Sequence, residues 1–248
     1  MKYIIISGAI IATMTSANAA NVIDGNPLYN PGQGHFYNIL TPMQVNTNWD
    51  LFKITEQFGY GITDSVSLMI ETSGSYDSSD HPEFGKWAWN DLVVGLNWEL
   101  PKNGEQESEI YFRGAQMYRT KHNLETVAYN WTLGARMGRV TDKWTVAGVV
   151  ELDYLNDDLP QNTFDSWAMT VGMQGQYIID SSWNLVGGVM FDFDLFDKYY
   201  DGERLRVEFG VNYNLDATKY VGMYVAKDVV RSFEDAPMTL SLDFGIDF

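Results

Sequence analysis

Three histidines are the side chains of this chain best suited to acid–base chemistry: His35, His81 and His122. His81 stands in the segment DSSDHPE and His122 in RTKHNLE, so each has carboxylates or hydroxyls a few residues away. A histidine beside such groups can activate a nucleophile in a hydrolase. Polar segments of this kind are also typical of solvated surface loops. The sequence therefore predicts that the protein is not an enzyme, and a rim hydrolase that uses a loop histidine is the alternative.

A carboxylate-rich run, 192-DFDLFDKYYDGE-203, offers the oxygen ligands that calcium prefers. Its spacing does not match the calcium-loop pattern D-x-[DN]-x-[DN]-G. A strand that continues into a solvated acidic loop explains the same residues, and divalent cations that bridge the loop to lipopolysaccharide are the functional alternative. The chain has no cysteine, which excludes disulfides and thiolate metal sites. Metal binding is left unknown, and no cofactor is predicted.

The charge balance and the N-terminus indicate the compartment. The chain has 33 Asp and Glu against 16 Lys and Arg, which argues against nucleic acid as a partner. The first residues, MKYIIISGAIIATMTSANA, combine an early lysine, a short apolar core and small residues in the A-x-A arrangement that signal peptidase accepts. We predict a cleaved signal peptide over residues 1–19 and an exported domain over residues 20–248.

Alternation with a period of two residues dominates the exported part. In 143-KWTVAGVVELDYL-155, apolar side chains fall on one face and mostly polar or small ones on the other, as in a strand with one apolar side. Similar segments recur to the end of the chain and give about twelve strands. Two segments fit less well, because Glu56 falls on the apolar face of 51–60 and both faces of 219–227 are apolar. Ten strands therefore remains the alternative.

Alternation suits a soluble sandwich, with its apolar face inward, or a transmembrane barrel, with its apolar face outward. Aromatic spacing favours the barrel. The pairs Trp144/Tyr154 and Trp167/Tyr177 each bracket an apolar face ten residues long. Ten residues at about 3.3 Å, tilted by about 40°, rise about 25 Å, which is the height of the apolar band on such barrels. We predict that these four aromatics lie at the membrane interfaces.

The connections and the last strand support the same interpretation. Short links alternate with longer polar ones, as in an up-and-down barrel with tight periplasmic turns and larger external loops. The chain ends in 239-TLSLDFGIDF-248, which places Phe244, Ile246 and Phe248 on the apolar face. A final strand of this kind resembles the signal that bacterial outer-membrane proteins present to their assembly machinery. We predict an all-β, antiparallel up-and-down transmembrane barrel in the bacterial outer membrane. Its partners are outer-membrane lipid, lipopolysaccharide and the barrel assembly machinery.

The polar faces of these strands then point into the barrel, where acids exceed bases. Such an interior favours cations or neutral polar solutes, so we predict a narrow channel or uptake barrel for small solutes of unknown identity. A closed structural or adhesive barrel, with its charges paired across the lumen, is the alternative. Lys227 is assigned to the same interior face. The residues predicted to line the lumen are Arg113, Arg136, Glu151, Asp153, Arg204, Arg206, Glu208 and Asp243.

Two segments near the start of the exported part resemble a known family. NPLYNPGQGHFYN (26–38) and YGITDSVSL (60–68) are similar to the opening of outer-membrane barrels grouped with meta-pathway phenol-degradation proteins. The resemblance covers roughly the first fifth of the exported chain. It implies a barrel linked to the passage of small compounds, including hydrophobic ones, and it brings no catalytic residues.

Overall fold

Twelve β-strands make up the regular structure of the described residues. The computed structural model describes residues 27–46, 51–77, 87–119, 125–159, 162–195, 204–216, 218–230 and 238–248. No helix among these residues is long and apolar enough to cross a membrane. The strands are β1 (Phe36–Asn46), β2 (Leu51–Gly61), β3 (Val66–Asp77), β4 (Trp87–Glu99), β5 (Gln106–Arg119), β6 (Glu125–Val140), β7 (Trp144–Leu159), β8 (Asn162–Ile178), β9 (Trp183–Asp194), β10 (Arg204–Asp216), β11 (Lys219–Val230) and β12 (Thr239–Asp247).

The strands form one closed antiparallel barrel. Each strand pairs with its neighbours in the chain, and β1 pairs with β12 to close the ring. The predicted up-and-down barrel of twelve strands is therefore confirmed. Both segments that fitted poorly are strands, β2 and β11. Glu56 does lie on the outer face of β2, where Asn38 Nδ2 donates a hydrogen bond of 3.1 Å to its carboxylate.

The connections define two ends of the barrel. We call the end with the links β2–β3, β4–β5, β6–β7, β8–β9 and β10–β11 the turn end, and the opposite end the loop end. Four of these five links are closed by a side chain that accepts hydrogen bonds from backbone N–H groups of the turn. Thr63 Oγ1 accepts hydrogen bonds from the backbone N–H groups of Ser65 and Val66, and Asp180 Oδ1 does the same for Ser182. Such caps favour tight turns.

The two faces of the barrel wall differ in polarity. Large apolar side chains point outward, including Leu133, Met173 and Met223, which are 53%, 59% and 65% exposed. Charged, hydroxyl and amide side chains dominate the inner face. A soluble barrel would have the opposite polarity, because water would meet the outer wall. The described strands therefore have the apolar outer wall and polar interior of a lipid-facing barrel.

Tyrosines on the inner face pack against glycines of the neighbouring strand. A Cβ atom added at Gly245 would lie 1.9 Å from the Tyr220 ring, and one at Gly134 would lie 2.2 Å from the Tyr111 ring. Only glycine lets the ring lie this close to the adjacent backbone. The same arrangement joins Tyr37 to Gly59 and Tyr224 to Gly210.

Candidate functional site: the barrel interior

The structure places all eight of the predicted lumen residues on the inner face of the wall. Asp153 and Glu208 are partly buried, and the other six are buried: Arg113, Arg136, Glu151, Arg204, Arg206 and Asp243.

The prediction for Lys227 is wrong. Lys227 is exposed and pairs with Val207, whose side chain also faces outward. The inner face of β11 is formed by Tyr220, Gly222, Tyr224 and Ala226. Because both faces of this strand carry apolar or aromatic side chains, alternation of polarity could not fix its register.

Interior tyrosines form a group that the sequence analysis missed. Tyr37, Tyr111, Tyr220 and Tyr224 are between 1% and 7% exposed. A usable signal was present at Tyr111, because it lies two residues from both Glu109 and Arg113. A strand that points those charged side chains inward must point the tyrosine inward as well.

Three of the interior arginines have carboxylate partners. Arg136 Nη1 lies 2.8 Å from Glu109 Oε1, and Arg204 Nε lies 2.9 Å from Asp192 Oδ2. Both pairs are nearly inaccessible to solvent. A looser contact of 3.7 Å joins Arg206 to Glu208 on the same strand. These pairs compensate the buried guanidinium charges.

Several interior carboxylates are instead held by hydroxyl groups. Asp243 accepts a hydrogen bond of 2.8 Å from Thr41, and Asp91 accepts one of 2.7 Å from Ser73. Glu151 accepts one of 2.5 Å from the Tyr111 hydroxyl. Hydroxyls satisfy the oxygen atoms but bring no positive charge. Among the buried side chains of the described residues, seven are carboxylates and five are arginines or lysines.

Tyr111 lies at the centre of a charged cluster. Its ring has the Arg113 guanidinium carbon 4.5 Å from the centroid and that of Arg136 at 4.6 Å.

The segment before β1 folds back into the turn end of the barrel. We call residues 27–35 the N-terminal strap. Its Leu28 side chain is 3% exposed, and the ring of Tyr29 packs edge-on against Tyr37, 5.9 Å away. The Tyr29 hydroxyl donates a hydrogen bond of 2.9 Å to Asp247 on β12. The strap is thus bonded to the inner face of the wall.

Further contacts tie the strap to other strands. Arg136 Nη1 on β6 donates to the Pro27 carbonyl at 3.4 Å, and Asn30 Nδ2 donates to Glu99 Oε2 on β4 at 3.5 Å. Lys102, in the β4–β5 link, lies 3.1 Å from Glu99 Oε1. Partial burial opposes the charged form of Lys102, but hydrogen bonds to Glu107 and Glu99 outweigh it and raise the pKa of this lysine.

The four predicted interface aromatics lie on the outer face as two cross-strand pairs. Trp144 of β7 is opposite Tyr177 of β8 near the turn end. Tyr154 is opposite Trp167 toward the loop end, with 4.9 Å between the ring centroids. The pairs thus occupy two levels of the wall. Their position relative to a bilayer stays a prediction.

The predicted assembly residues lie at the seam that closes the barrel. Phe244 and Phe248 are exposed on the outer face, and Ile246 is partly buried there. Phe248 exchanges backbone hydrogen bonds with Phe36, and the two rings lie 4.7 Å apart. The last residue therefore joins both ends of the sheet. Its role in assembly stays a prediction.

The candidate catalytic and metal-binding residues fall mostly outside the described residues. His81, His122 and most of the acidic run (196–203) lie outside the described residues. Residues 1–26, which include the predicted signal peptide, lie outside them as well. His35 is exposed at the turn end. Within the described residues, no group of three or more His, Asp or Glu is arranged to hold a metal ion. Asp192, at the start of the acidic run, is bound to Arg204.

No family model matches the chain, and no curated protein sequence matches it. Solved structures do match. The NanC porin superposes with a TM-score of 0.63 at 10% identity and covers 86% of this chain and 98% of its own. The fold is that of the outer-membrane porins.

Two other barrels match less closely. The KdgM porin, solved with disordered oligogalacturonate, has a TM-score of 0.53 at 11% identity and covers 86% of this chain and 98% of its own. The CymD monoaromatic hydrocarbon channel has a TM-score of 0.51 at 9% identity and covers 88% of this chain and 89% of its own. The resemblance to the meta-pathway phenol-degradation family stays a prediction.

Proposed function

We propose that this protein is a narrow outer-membrane channel for small polar solutes that favours cations over anions. The observation that carries the proposal is the excess of interior carboxylates over interior arginines and lysines. A narrow lumen of one charge sign concentrates counter-ions and excludes co-ions. In this proposal the turn end faces the periplasm, the outer wall contacts lipid and lipopolysaccharide, and the assembly machinery inserts the barrel.

The interior chemistry also narrows the class of solute. Oligogalacturonate, present in the KdgM structure, is a polymer of acidic sugars, and the acidic interior of this barrel would repel it. Monoaromatic hydrocarbons, named for CymD, would have to pass carboxylates and guanidinium groups that they cannot hydrogen-bond. Small cations and neutral hydroxylated solutes suit the described inner face best.

Removal of single interior carboxylates tests this proposal. Asp243→Asn and Glu151→Gln keep the hydrogen-bonding shape but remove one charge each. A charge about 8 Å from an ion in water changes its energy by about 0.5 kcal/mol, favourably for a cation and unfavourably for an anion, so each variant should lower the cation-to-anion permeability ratio about fivefold. Single-channel recording in planar bilayers measures that ratio.

The matched control is Asp142→Asn, because Asp142 is exposed in the β6–β7 link and outside the lumen. It should leave the permeability ratio unchanged. An equal change in all three variants would mean that surface charge, and not the lumen, sets selectivity. The absence of conductance in the natural protein and in every variant, including the variants described below that displace the N-terminal strap, would contradict the channel itself.

A closed structural or adhesive barrel is the second candidate function. The observation that favours it is the burial of the interior charges, since Glu71, Glu109 and Asp91 are only 1–2% exposed. A lumen filled with paired side chains would support the wall without conducting. Solute leakage from liposomes that contain the protein separates the two candidates, because only a channel releases small solutes.

A further inference from the structure

The N-terminal strap crosses the mouth of the barrel at the turn end. Its hydrogen bonds reach β12 through Tyr29, β4 through Asn30 and β6 through Pro27. In a ring of twelve strands, β6 and β12 lie on opposite walls. A segment bonded to both walls must lie across the lumen.

We infer that the N-terminal strap is a gate, which closes the turn-end mouth and must leave it before a solute can pass. The inference rests on the proposed channel function. The strap is bonded to the wall by separate side-chain contacts and, next to β1, by two backbone hydrogen bonds to Gly61, whereas each strand pairs with both of its neighbours through a longer backbone ladder. The strap can therefore detach while the barrel stays intact.

The join between the strap and β1 is built for a chain reversal. Gly34 has a φ of 81°, in the left-handed region that favours glycine. Its N–H donates to the Gly61 carbonyl at 2.9 Å, and the His35 N–H donates to the Gly32 carbonyl at 3.0 Å. This turn directs the strap back into the mouth instead of away from the barrel.

Gly61, the last residue of β2, provides the space in which the strap lies. A Cβ atom at this position would lie 2.0 Å from the Gly32 carbonyl oxygen and 2.5 Å from that of Pro31. Both neighbours are backbone atoms, so a side chain here must push the strap away from the wall. Gly61→Ala is therefore a way to open the gate without changing any strap residue.

A reversible cross-link tests whether the strap must move. The natural chain has no cysteine, so Asn30→Cys with Glu99→Cys gives one reactive pair between the strap and β4. A short, reducible bis-thiosulfonate reagent should join them and lower the single-channel conductance to the membrane background. Reduction of the same sample should restore it.

The control pair is Glu105→Cys with Arg139→Cys. These exposed residues form a salt bridge between the β4–β5 link and β6 at the same end of the barrel. Cross-linking them with the same reagent leaves the strap untouched and should leave the conductance unchanged. Mass spectrometry confirms that each link has formed.

Two release variants test the opposite direction. Gly61→Ala and Tyr29→Phe should each raise the open probability severalfold. Their controls are Gly148→Ala, where the nearest atom to the added Cβ would be 3.7 Å away, and Tyr213→Phe on the outer face. The heat-dependent shift of the folded barrel in detergent gels shows that each variant has assembled.

The outcomes separate the gate from the channel. If the cross-linked Asn30/Glu99 pair conducts like the unlinked protein, the strap is not a gate, and the channel proposal stands. If neither the natural protein nor the two release variants conduct, the channel proposal fails. Loss on cross-linking, recovery on reduction and a gain in the release variants together support the gate.

Discussion

Two walls of the barrel interior use different side chains to fill the same lumen. The charged wall, on β3 to β10, carries buried ion pairs and carboxylates such as Arg136, Glu109 and Glu151. The tyrosine wall, on β11, β12 and β1, carries Tyr220 and its neighbours, with Asp243 as an acid held by a hydroxyl. Charges need compensating partners, whereas tyrosines narrow the bore without adding charge. Selectivity should therefore depend on the carboxylates, and the bore on the tyrosines.

The largest effect is expected on the charged wall, from Arg136→Met. This change leaves Glu109 buried without its partner, which costs about 3–5 kcal/mol of the free energy of unfolding. Urea unfolding in detergent, followed by tryptophan fluorescence, measures the loss. Arg139→Met is the control, because its pair with Glu105 is exposed and contributes at most about 1 kcal/mol. Equal losses would contradict the distinction between buried and exposed pairs.

A smaller effect is expected on the tyrosine wall, from Gly245→Ala. The added Cβ would lie 1.9 Å from the Tyr220 ring, and overpacking of this kind costs about 1–3 kcal/mol. Adding Tyr220→Leu should recover part of the loss, because the smaller side chain makes room. The same unfolding experiment tests both, with Gly148→Ala on the outer face as the control. A loss in the control as large as that of Gly245→Ala would rule out the tyrosine–glycine contact as its cause.

The smallest effect is expected from Tyr224→Phe. The Tyr224 hydroxyl donates a hydrogen bond to Asn212 inside the barrel, and its loss should cost about 1 kcal/mol. The ring stays, so channel selectivity should not change. Tyr213→Phe on the outer face is the matched control and should stay within about 0.5 kcal/mol of the natural protein. A changed permeability ratio in Tyr224→Phe would show that the tyrosines, and not the carboxylates alone, set selectivity.

The sequence predicted the strands and the face on which most side chains lie better than it predicted the contacts among the side chains inside the barrel. Where the two faces of a strand differ, as in β7, alternation gave the correct side for Glu151 and Asp153. It failed for Lys227, because both faces of β11 are apolar or aromatic. Partners inside the lumen could not be predicted, since they join distant parts of the chain: Thr41 binds Asp243 across 202 residues, and Tyr29 binds Asp247 across 218. The strap depends on such contacts alone and carries no periodic signal.

The reversal potential of the purified protein in a planar bilayer, with a potassium chloride gradient, tests the central claim most directly. The potential depends on the relative permeability of potassium and chloride, and so on the charge that ions meet inside the lumen. The excess of interior carboxylates predicts a potential close to that of a cation-selective channel. A potential of the opposite sign, showing preference for chloride, would contradict the account.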